Sequence, residues 1–379
     1  MMVVAFWLMA LALFALATWA GRQLGLIPIV RQLLLATFGL PLLMLFWIEP
    51  HWQLSGAQLV SPVWLKSLYG LAFAIVLGQI LSDVIDLRLD RQSLKIAVPS
   101  FLVPFLSGLA CAAWLLPEQA WISSLAIGLV FAITAIPVLY LYLQHIDYPP
   151  AATRRLVQTA ILIDLTCWSL FAIAQGSLHL SSLLLPLLGA CVPLLYSLTF
   201  FILLMAAEHY RLNALIFGIG YLLCMARLGQ AWVPPLSAAQ RGFVQNRLAI
   251  PLLLTFGIVQ INVHSALGEL SALQLAVLIV LPIVSKLLGN WIGLRWAPPS
   301  FAGASRWRES VLLNIRGLSE IVFLNLLLQQ QLISPALYFA LMLMGLLATL
   351  LPALTGMGRV TVQPSLATAK PERNTCAHH

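Results

Sequence analysis

The feature that most constrains this chain is a series of apolar runs, each long enough to cross a lipid bilayer. A helical crossing needs about 20 apolar residues, and these runs are continuous rather than alternating, which argues against membrane strands. Only 8% of the 379 residues are charged, against about a quarter in a soluble domain. We therefore predict an all-α polytopic membrane protein. The predicted spans are 2–20, 27–48, 63–85, 96–116, 120–143, 156–174, 179–209, 212–230, 248–263, 270–296, 309–328 and 333–355.

Basic residues in the loops predict the orientation. They cluster after the third span, before the sixth and before the eleventh, and cytoplasmic loops carry an excess of Lys and Arg. The clusters are Arg88, Arg91 and Lys95, then Arg154 and Arg155, then Arg295, Arg306 and Arg308. These loops and the tail 359–379, predicted to be disordered, are therefore placed in the cytoplasm. The net charge of +8 follows from these loops and does not indicate nucleic-acid binding.

The list of predicted spans is one crossing short of what the loop orientation requires. Counting from the two ends of the chain places the loop before Asn213 on opposite sides of the membrane. The segment 179–209 is long for a single helix and contains Gly189 and Pro193, which favour a turn. We predict two short crossings there, which gives about 13 transmembrane helices in total. One long tilted helix over 179–209 is the alternative.

Two ionisable residues of opposite sign lie inside predicted spans. Asp164 stands alone in the apolar run 156–174, and Lys286 lies in the run 270–296. A charge at the centre of a membrane helix costs about 2.5–3.5 kcal/mol on insertion scales. Such a residue indicates an ion or proton pathway, and Lys286 is the predicted cationic partner of Asp164. A purely structural pair that holds two helices in register is the alternative.

Two other spans are predicted to be interrupted. The first meets Pro137 in mid-span, just after Thr134, and the second contains a polar group: Asn314, Arg316 and Glu320. A broken membrane helix is tolerated where protein or a water-filled cavity satisfies its free backbone groups. One interrupted helix in each half of the chain is typical of an inverted-repeat transporter with a site at the midplane. Arg316 and Glu320 stand four residues apart, so a structural brace on one helix face is their predicted role, and Asn314 is a candidate cap for the freed backbone.

A buried carboxyl group can hold either a proton or a metal cation. Competition between the two for the same oxygens is the minimal physical basis of cation/proton exchange. Unwound carbonyl groups and the Thr134 hydroxyl would replace part of the hydration shell of the ion. Lys286 would act as the resident cation that neutralises Asp164 when Na⁺ or K⁺ leaves, and it is itself a candidate proton carrier because buried lysines shift their pKa readily.

Four segments resemble the monovalent cation:proton antiporter-2 family, in the same order along the chain. Phe131–Leu139 resembles its broken-helix motif, and Ala160–Trp168 is similar to the helix that follows, which carries an Asp-Asp or Asn-Asp pair in that family. Ser285–Gly289 resembles its lysine helix, and Leu313–Glu320 resembles its Asn-Pro-Arg-Gly-x-x-Glu helix. The resemblance covers about residues 20 to 355.

The resemblance implies an inverted-repeat sodium/proton antiporter-like fold with two discontinuous helices over residues 1–358, and alternating access of an elevator kind. Core helices around 96–174 and 270–355 would hold the ion site, and the remaining helices would form a scaffold and a homodimer interface. It implies a transporter rather than an enzyme, in a bacterial inner membrane, with monovalent cations and protons as its partners. We expect no cofactor and no resident metal. The five cysteines have no paired spacing and predict neither a disulfide framework nor a metal site.

The chain departs from the family pattern at two positions. Ile163 stands where the family has the first Asp or Asn of its pair, and Ile315 replaces the proline of the Asn-Pro-Arg-Gly motif. Ile315 predicts a less sharply broken second helix. Ile163 leaves open an alternative function, in which the fold has lost or changed exchange and serves as a sensor or a transporter of an organic solute.

Overall fold

The structure is a computed structural model, and every regular element in the part of the chain that it describes is helical. The described residues are 2–20, 28–66, 68–69, 72, 90–115, 120–174, 240, 243–259, 270–299 and 305–355. The predicted turn in 179–209, the span 212–230, most of the span 63–85 and the tail 359–379 lie outside them.

The N-terminal half begins with helix α1 (Met2–Ala20) and a helical segment over 28–52 that alternates between α-helical and π-helical turns. A short helix, Gly56–Val60, follows; Ser55 caps it through a reciprocal pair of hydrogen bonds with Gln58. The next helices are α2 (Arg91–Leu115), α3 (Trp121–Ala132), α4 (Ile136–His145) and α5 (Pro150–Ala174).

The C-terminal half has a similar order of long and half-length helices. Its helices are α6 (Ile250–Val259), α7 (Ala272–Trp296), α8 (Arg306–Leu312), α9 (Leu318–Gln329) and α10 (Pro335–Leu354). Serine hydroxyl groups cap the N-termini of α7, α8 and α10, at Ser271, Ser305 and Ser334.

Five of the described helical segments are long and apolar enough to cross a bilayer: Met2–Ala20, Arg31–Trp52, Arg91–Leu115, Ala272–Trp296 and Pro335–Leu354. They coincide within a few residues with predicted spans, so the prediction of an all-α polytopic membrane protein is confirmed. The predicted total of about 13 crossings stays a prediction, because several predicted spans lie outside the described residues.

The first of the two predicted interruptions, in the span 120–143, is confirmed. Helix α3 ends at Ala132, residues 133–135 are extended, and α4 begins at Ile136. Pro137 lies in the first turn of α4, where the missing N–H removes no helical hydrogen bond. We call residues 133–135 the first break.

The other predicted interruption, in the span 309–328, lies at residues 313–317, between α8 and α9. We call residues 313–317 the second break. The expectation that Ile315 would soften this break is wrong. Gly317 supplies the break instead, since its φ of 156° is a conformation that residues with a Cβ rarely adopt, and an added Cβ would lie 2.8 Å from Val138 Cγ2. The change of direction therefore depends on glycine rather than on proline.

Helices α2 and α7 pack backbone against backbone. A Cβ added to Gly289 would lie 2.6 Å from the carbonyl oxygen of Pro99, and one added to Gly293 would lie 2.6 Å from that of Ile96. Small residues at such contacts allow membrane helices to approach closely. This approach brings the middle of α7 beside the first break.

Helix α6 contacts two groups of helices. Phe256 stacks on Tyr69 and packs against Trp7 of α1, with ring centroids 4.2 Å and 6.5 Å away. On another side, the Leu253 carbonyl oxygen accepts a hydrogen bond from Asn325 Nδ2 of α9 at 3.1 Å. Helix α6 thus connects the N-terminal helices to the helices that carry the second break.

Candidate functional site: two helix breaks in contact

The end of α3 leaves backbone carbonyl groups without helical partners, and two cationic side chains satisfy them. Arg316 donates from Nη1 to the Val130 carbonyl oxygen at 2.6 Å and from Nη2 to that of Phe131 at 2.5 Å. Lys286 Nζ donates to the Ala132 carbonyl oxygen. The last carbonyl groups of a helix carry partial negative charge, so cations are favourable there. Both side chains are fully buried.

Lys286 has a second backbone partner. Its Nζ donates to the carbonyl oxygen of Ser100 in α2 at 3.2 Å. Within α2 that carbonyl would pair with the N–H four residues later, but the residue there is Pro104, which has none. A proline in one helix thus creates the acceptor that a lysine from another helix uses.

Asp164 lies on α5, only 1% exposed, and faces the first break. Its Oδ1 accepts a hydrogen bond from the Thr134 backbone N–H at 2.9 Å. By hydrogen-bond geometry among the described residues, neither Asp164 Oδ2 nor the Thr134 hydroxyl oxygen has a partner, although the Ser319 hydroxyl lies close enough to interact with the Asp164 carboxylate. Two buried oxygens of this kind at one unwound segment are suitable ligands for a hard cation, which prefers oxygen.

The structure brings Asp164, Thr134 and Lys286 to the same break but does not join the two charges directly. The ion pairs within 4.0 Å in the described ranges do not include Asp164 with Lys286. Asp164 accepts from the backbone at Thr134, whereas Lys286 donates to the backbone at Ala132. Any influence of one charge on the other therefore acts at more than 4.0 Å.

The second break holds the first by direct contacts. The Ala135 N–H donates to the Ile315 carbonyl oxygen at 3.1 Å, and the Ser319 hydroxyl donates to the Thr134 carbonyl oxygen at 3.2 Å. Arg316 adds its two bonds to the end of α3. The two interrupted helices therefore share one hydrogen-bonded junction.

Arg316 and Glu320 form the ion pair that their spacing predicts, with 3.1 Å between Nη1 and Oε1. The same guanidinium group also caps α3, so its contacts extend beyond the predicted brace. Glu320 lies in the first turn of α9, where a carboxylate faces the positive end of the helix dipole. Asn314 is fully buried, and neither its Nδ2 nor its Oδ1 has a partner among the described residues.

Sequence reasoning missed three residues of this junction. Ser319 bonds the first break, Ser100 accepts from Lys286, and Thr349 of α10 donates to the Arg316 carbonyl oxygen at 2.5 Å. Only Ser100 carried a usable signal, namely Pro104 four residues later. The other two are hydroxyl residues in apolar spans with no distinguishing spacing.

A second polar group lies where α4 and α5 meet the start of α8. The Tyr148 hydroxyl donates to Glu309 Oε1 at 3.2 Å, and Arg155 Nη2 lies 4.0 Å from Glu309 Oε2. Burial, and next the negative charge of Glu309, raise the pKa of Tyr148. The phenol therefore stays protonated and able to donate well above neutral pH.

Comparisons with known proteins bear on the fold. No protein-family model and no curated protein matches the chain. Among solved structures, the chain is similar to the sodium proton antiporter MjNhaP1 from Methanocaldococcus jannaschii at pH 8, with a TM-score of 0.60 and 16% sequence identity over 94% of this chain and 95% of that one. At an identity this low, the structural similarity shows a shared fold alone. The chain is thus an all-α integral membrane protein with an antiporter-like fold that contains two discontinuous helices.

Proposed function

We propose that this protein is a secondary transporter that exchanges a monovalent cation, Na⁺ or K⁺, for protons at Asp164 by alternating access. One observation carries the proposal: a buried carboxylate binds the backbone of a helix break through one oxygen and keeps the other oxygen free. The similarity to a sodium proton antiporter supports it. The narrower assignment to the monovalent cation:proton antiporter-2 family, on the four motifs above, is part of the same proposal.

In this proposal, the cation and the proton compete for Asp164 Oδ2. A cation would bind Asp164 Oδ2 together with the Thr134 hydroxyl oxygen, and a proton would bind the same carboxylate oxygen, so the two ions exclude each other. Lys286 supplies the competing positive charge from the carbonyl end of α3. Because Ile163 is buried and apolar, it provides no second ligand, and one proton would move per cation unless Lys286 also releases its proton.

The domain organisation belongs to this proposal as well. Core helices around 96–174 and 270–355 would move as a unit against the remaining helices, which would also form a homodimer interface. The protein would lie in a bacterial inner membrane, with its C-terminal tail in the cytoplasm. Helix α6, which contacts both groups of helices, would lie at the boundary between them.

The test is transport by purified protein in liposomes, with an internal pH dye and an imposed Na⁺ or K⁺ gradient. The wild type should move protons in response to at least one cation, and Asp164→Asn should abolish this movement. Asp90→Asn is the matched control, since Asp90 is exposed and caps the start of α2, a role that Asn also performs. Cation-driven proton movement that survives in Asp164→Asn would refute the proposal.

A second candidate function is an antiporter fold that has lost or changed exchange and acts as a sensor or moves an organic solute. Ile163 favours it, because a buried isoleucine removes the polar neighbour that the family has beside its aspartate. It predicts no cation-dependent proton movement in wild-type liposomes and an unchanged host phenotype after Lys286→Ala.

A further inference from the structure

Ser319, in the first turn of α9, contacts both residues of the proposed cation site. Its hydroxyl donates to the Thr134 carbonyl oxygen at 3.2 Å and lies close enough to interact with the Asp164 carboxylate. The serine side chain is fully buried, as are Thr134 and Asp164. The second interrupted helix therefore brings a hydroxyl group to a site that so far consisted of α5 and the first break.

The position of Ser319 at the start of α9 directs its hydroxyl to another segment. Serine and threonine inside a helix often donate to the carbonyl oxygen four residues earlier, as Thr159 does to Arg155 in α5. The residue four positions before Ser319 is Ile315, which lies in the second break, and its carbonyl oxygen accepts from the Ala135 N–H. The hydroxyl of Ser319 is therefore oriented by the contact between the two breaks and not by its own helix.

Three oxygen atoms at this contact have unused capacity to accept. A hydroxyl group has one hydrogen to donate and two lone pairs, and the hydrogen of Ser319 goes to the Thr134 carbonyl oxygen. The lone pairs of Ser319 remain available to a cation. Among the described residues, the Thr134 hydroxyl oxygen and Asp164 Oδ2 have no hydrogen-bond partner by geometry. Both backbone groups of Thr134 are bonded, to Asp164 and to Ser319, so the residue is held in place from two sides.

We propose that Ser319 is a further ligand of the transported cation and that it sets the preference between Na⁺ and K⁺. The number and strength of the oxygen ligands that replace the hydration shell determine which ion a site prefers. The Ser319 oxygen takes the place of the polar side chain that Ile163, buried and apolar, does not supply. One carboxylate and two neutral hydroxyl groups carry a single negative charge, which suits a monovalent cation. This inference rests on the proposed exchange function.

The first experiment compares three substitutions of Ser319 in liposomes, with proton flux measured against the Na⁺ and the K⁺ concentration. Ser319→Ala removes the oxygen, Ser319→Thr keeps it, and Ser319→Cys replaces it with sulfur, a poor ligand for hard cations. We expect the alanine and cysteine variants to raise the KM for the cation about tenfold and to change the ratio of the two KM values. Ser319→Thr should restore most of the affinity and the wild-type ratio. Wild-type KM values in Ser319→Ala would overturn the proposal.

Ser310→Ala is the matched control, because the bond between Ser319 and Thr134 also contributes to stability. Ser310 is a fully buried serine of α8 whose hydroxyl donates to the Leu287 carbonyl oxygen of α7 at 2.8 Å. Its substitution removes the same kind of bond between two elements and should reduce stability without altering either KM. An equal rise of KM in Ser310→Ala would show that Ser319 acts through stability alone, and would overturn the proposal.

The second experiment measures binding without transport, so failure of this inference and failure of the exchange function are distinguishable. Purified protein in micelles is heated at increasing NaCl or KCl, with choline chloride to keep the ionic strength constant. We expect Na⁺ or K⁺ to raise the unfolding temperature of the wild type and of Ser319→Thr. Ser319→Ala should need about tenfold more of the same cation.

Each outcome of this binding experiment decides the role of Ser319. The expected pattern in a protein that moves no protons would support Ser319 as a ligand while the exchange function fails. A wild-type response in Ser319→Ala would overturn the ligand role even if the wild type exchanges cations for protons. A wild type that neither cation stabilises would overturn it as well.

Discussion

The two breaks solve the same problem with different chemistry. At the first break, side chains from other helices satisfy the freed carbonyl groups, namely Arg316 and Lys286. At the second, the freed carbonyl groups of Ser310, Ile315 and Arg316 also accept from other elements, but the donors are neutral: the Asn290 amide, the Ala135 N–H and the Thr349 hydroxyl. The carbonyl groups of the first break therefore depend on charged side chains, whereas those of the second break depend on neutral donors. This contrast agrees with the proposal that ions bind at the first break.

The largest effect should come from Arg316→Met, which removes the link between the breaks. It leaves Glu320 as a buried charge without its partner and frees two carbonyl groups of α3. Loss of one partner of a buried ion pair costs about 3–5 kcal/mol, so we expect the free energy of unfolding in micelles to fall by that amount. The double variant Arg316→Met, Glu320→Gln should recover part of it. An effect below about 1 kcal/mol would mean that the pair is not a support.

Gly317→Ala tests whether the second break depends on its glycine. The φ of 156° is strained for alanine, and the added Cβ meets Val138 Cγ2 at 2.8 Å. Strain and overpacking together should lower the free energy of unfolding by about 2–4 kcal/mol. Gly39→Ala is the control with crowding alone, because its Cβ would meet Leu35 Cδ1 at 2.6 Å without an unusual φ. Equal losses in both variants would contradict the role of backbone strain.

Lys286→Met should destabilise the protein less than Arg316→Met, although both residues cap α3. It frees the Ala132 and Ser100 carbonyl groups but breaks no ion pair of 4.0 Å or less among the described residues. We expect a loss of about 1–2 kcal/mol, measured by the same unfolding titration, together with altered exchange in liposomes. A loss as large as that of Arg316→Met would contradict the smaller contribution to stability that we assign to Lys286.

The smallest effect should come from Tyr148→Phe, whose partner Glu309 lies in α8, the helix that leads into the second break. It removes one hydrogen bond to Glu309, at a cost of about 0.5–1.5 kcal/mol. Because the folded pKa of Tyr148 is raised, the contribution is fully present below the unfolded pKa of about 10 and declines only above it. The difference in unfolding free energy between wild type and variant should therefore be flat through neutral pH. A loss of this difference near neutral pH would show that the phenol ionises there.

Much of the fold could be predicted because membrane crossings and their interruptions are local in sequence. Pro137 marks the first break, and the polar group from Asn314 to Glu320 marks the second. The softening expected from Ile315 was wrong, since the backbone freedom comes from Gly317, two residues later. A missing proline is therefore weak grounds for predicting a continuous helix.

The partners of the buried charges could be predicted only in part. Side-chain pairs leave a spacing, as Arg316 and Glu320 do. Backbone acceptors leave almost none, so the contacts of Lys286 with Ala132 and Ser100 could not be read from the sequence. The sequence pointed to Asp164 as the partner of Lys286 because it showed only which charges exist.

The contact of α2 with α7 at Gly289 and Gly293 has a mechanical consequence. Because the two backbones are in direct contact at these positions, there are no side chains between them that could change rotamer and let one helix slide along the other. Lys286 and the Ser100 carbonyl group of α2 must therefore keep their spacing whenever this part of the protein shifts. Under the proposed alternating access, α2 and α7 would therefore move together as a rigid body and would not separate from each other.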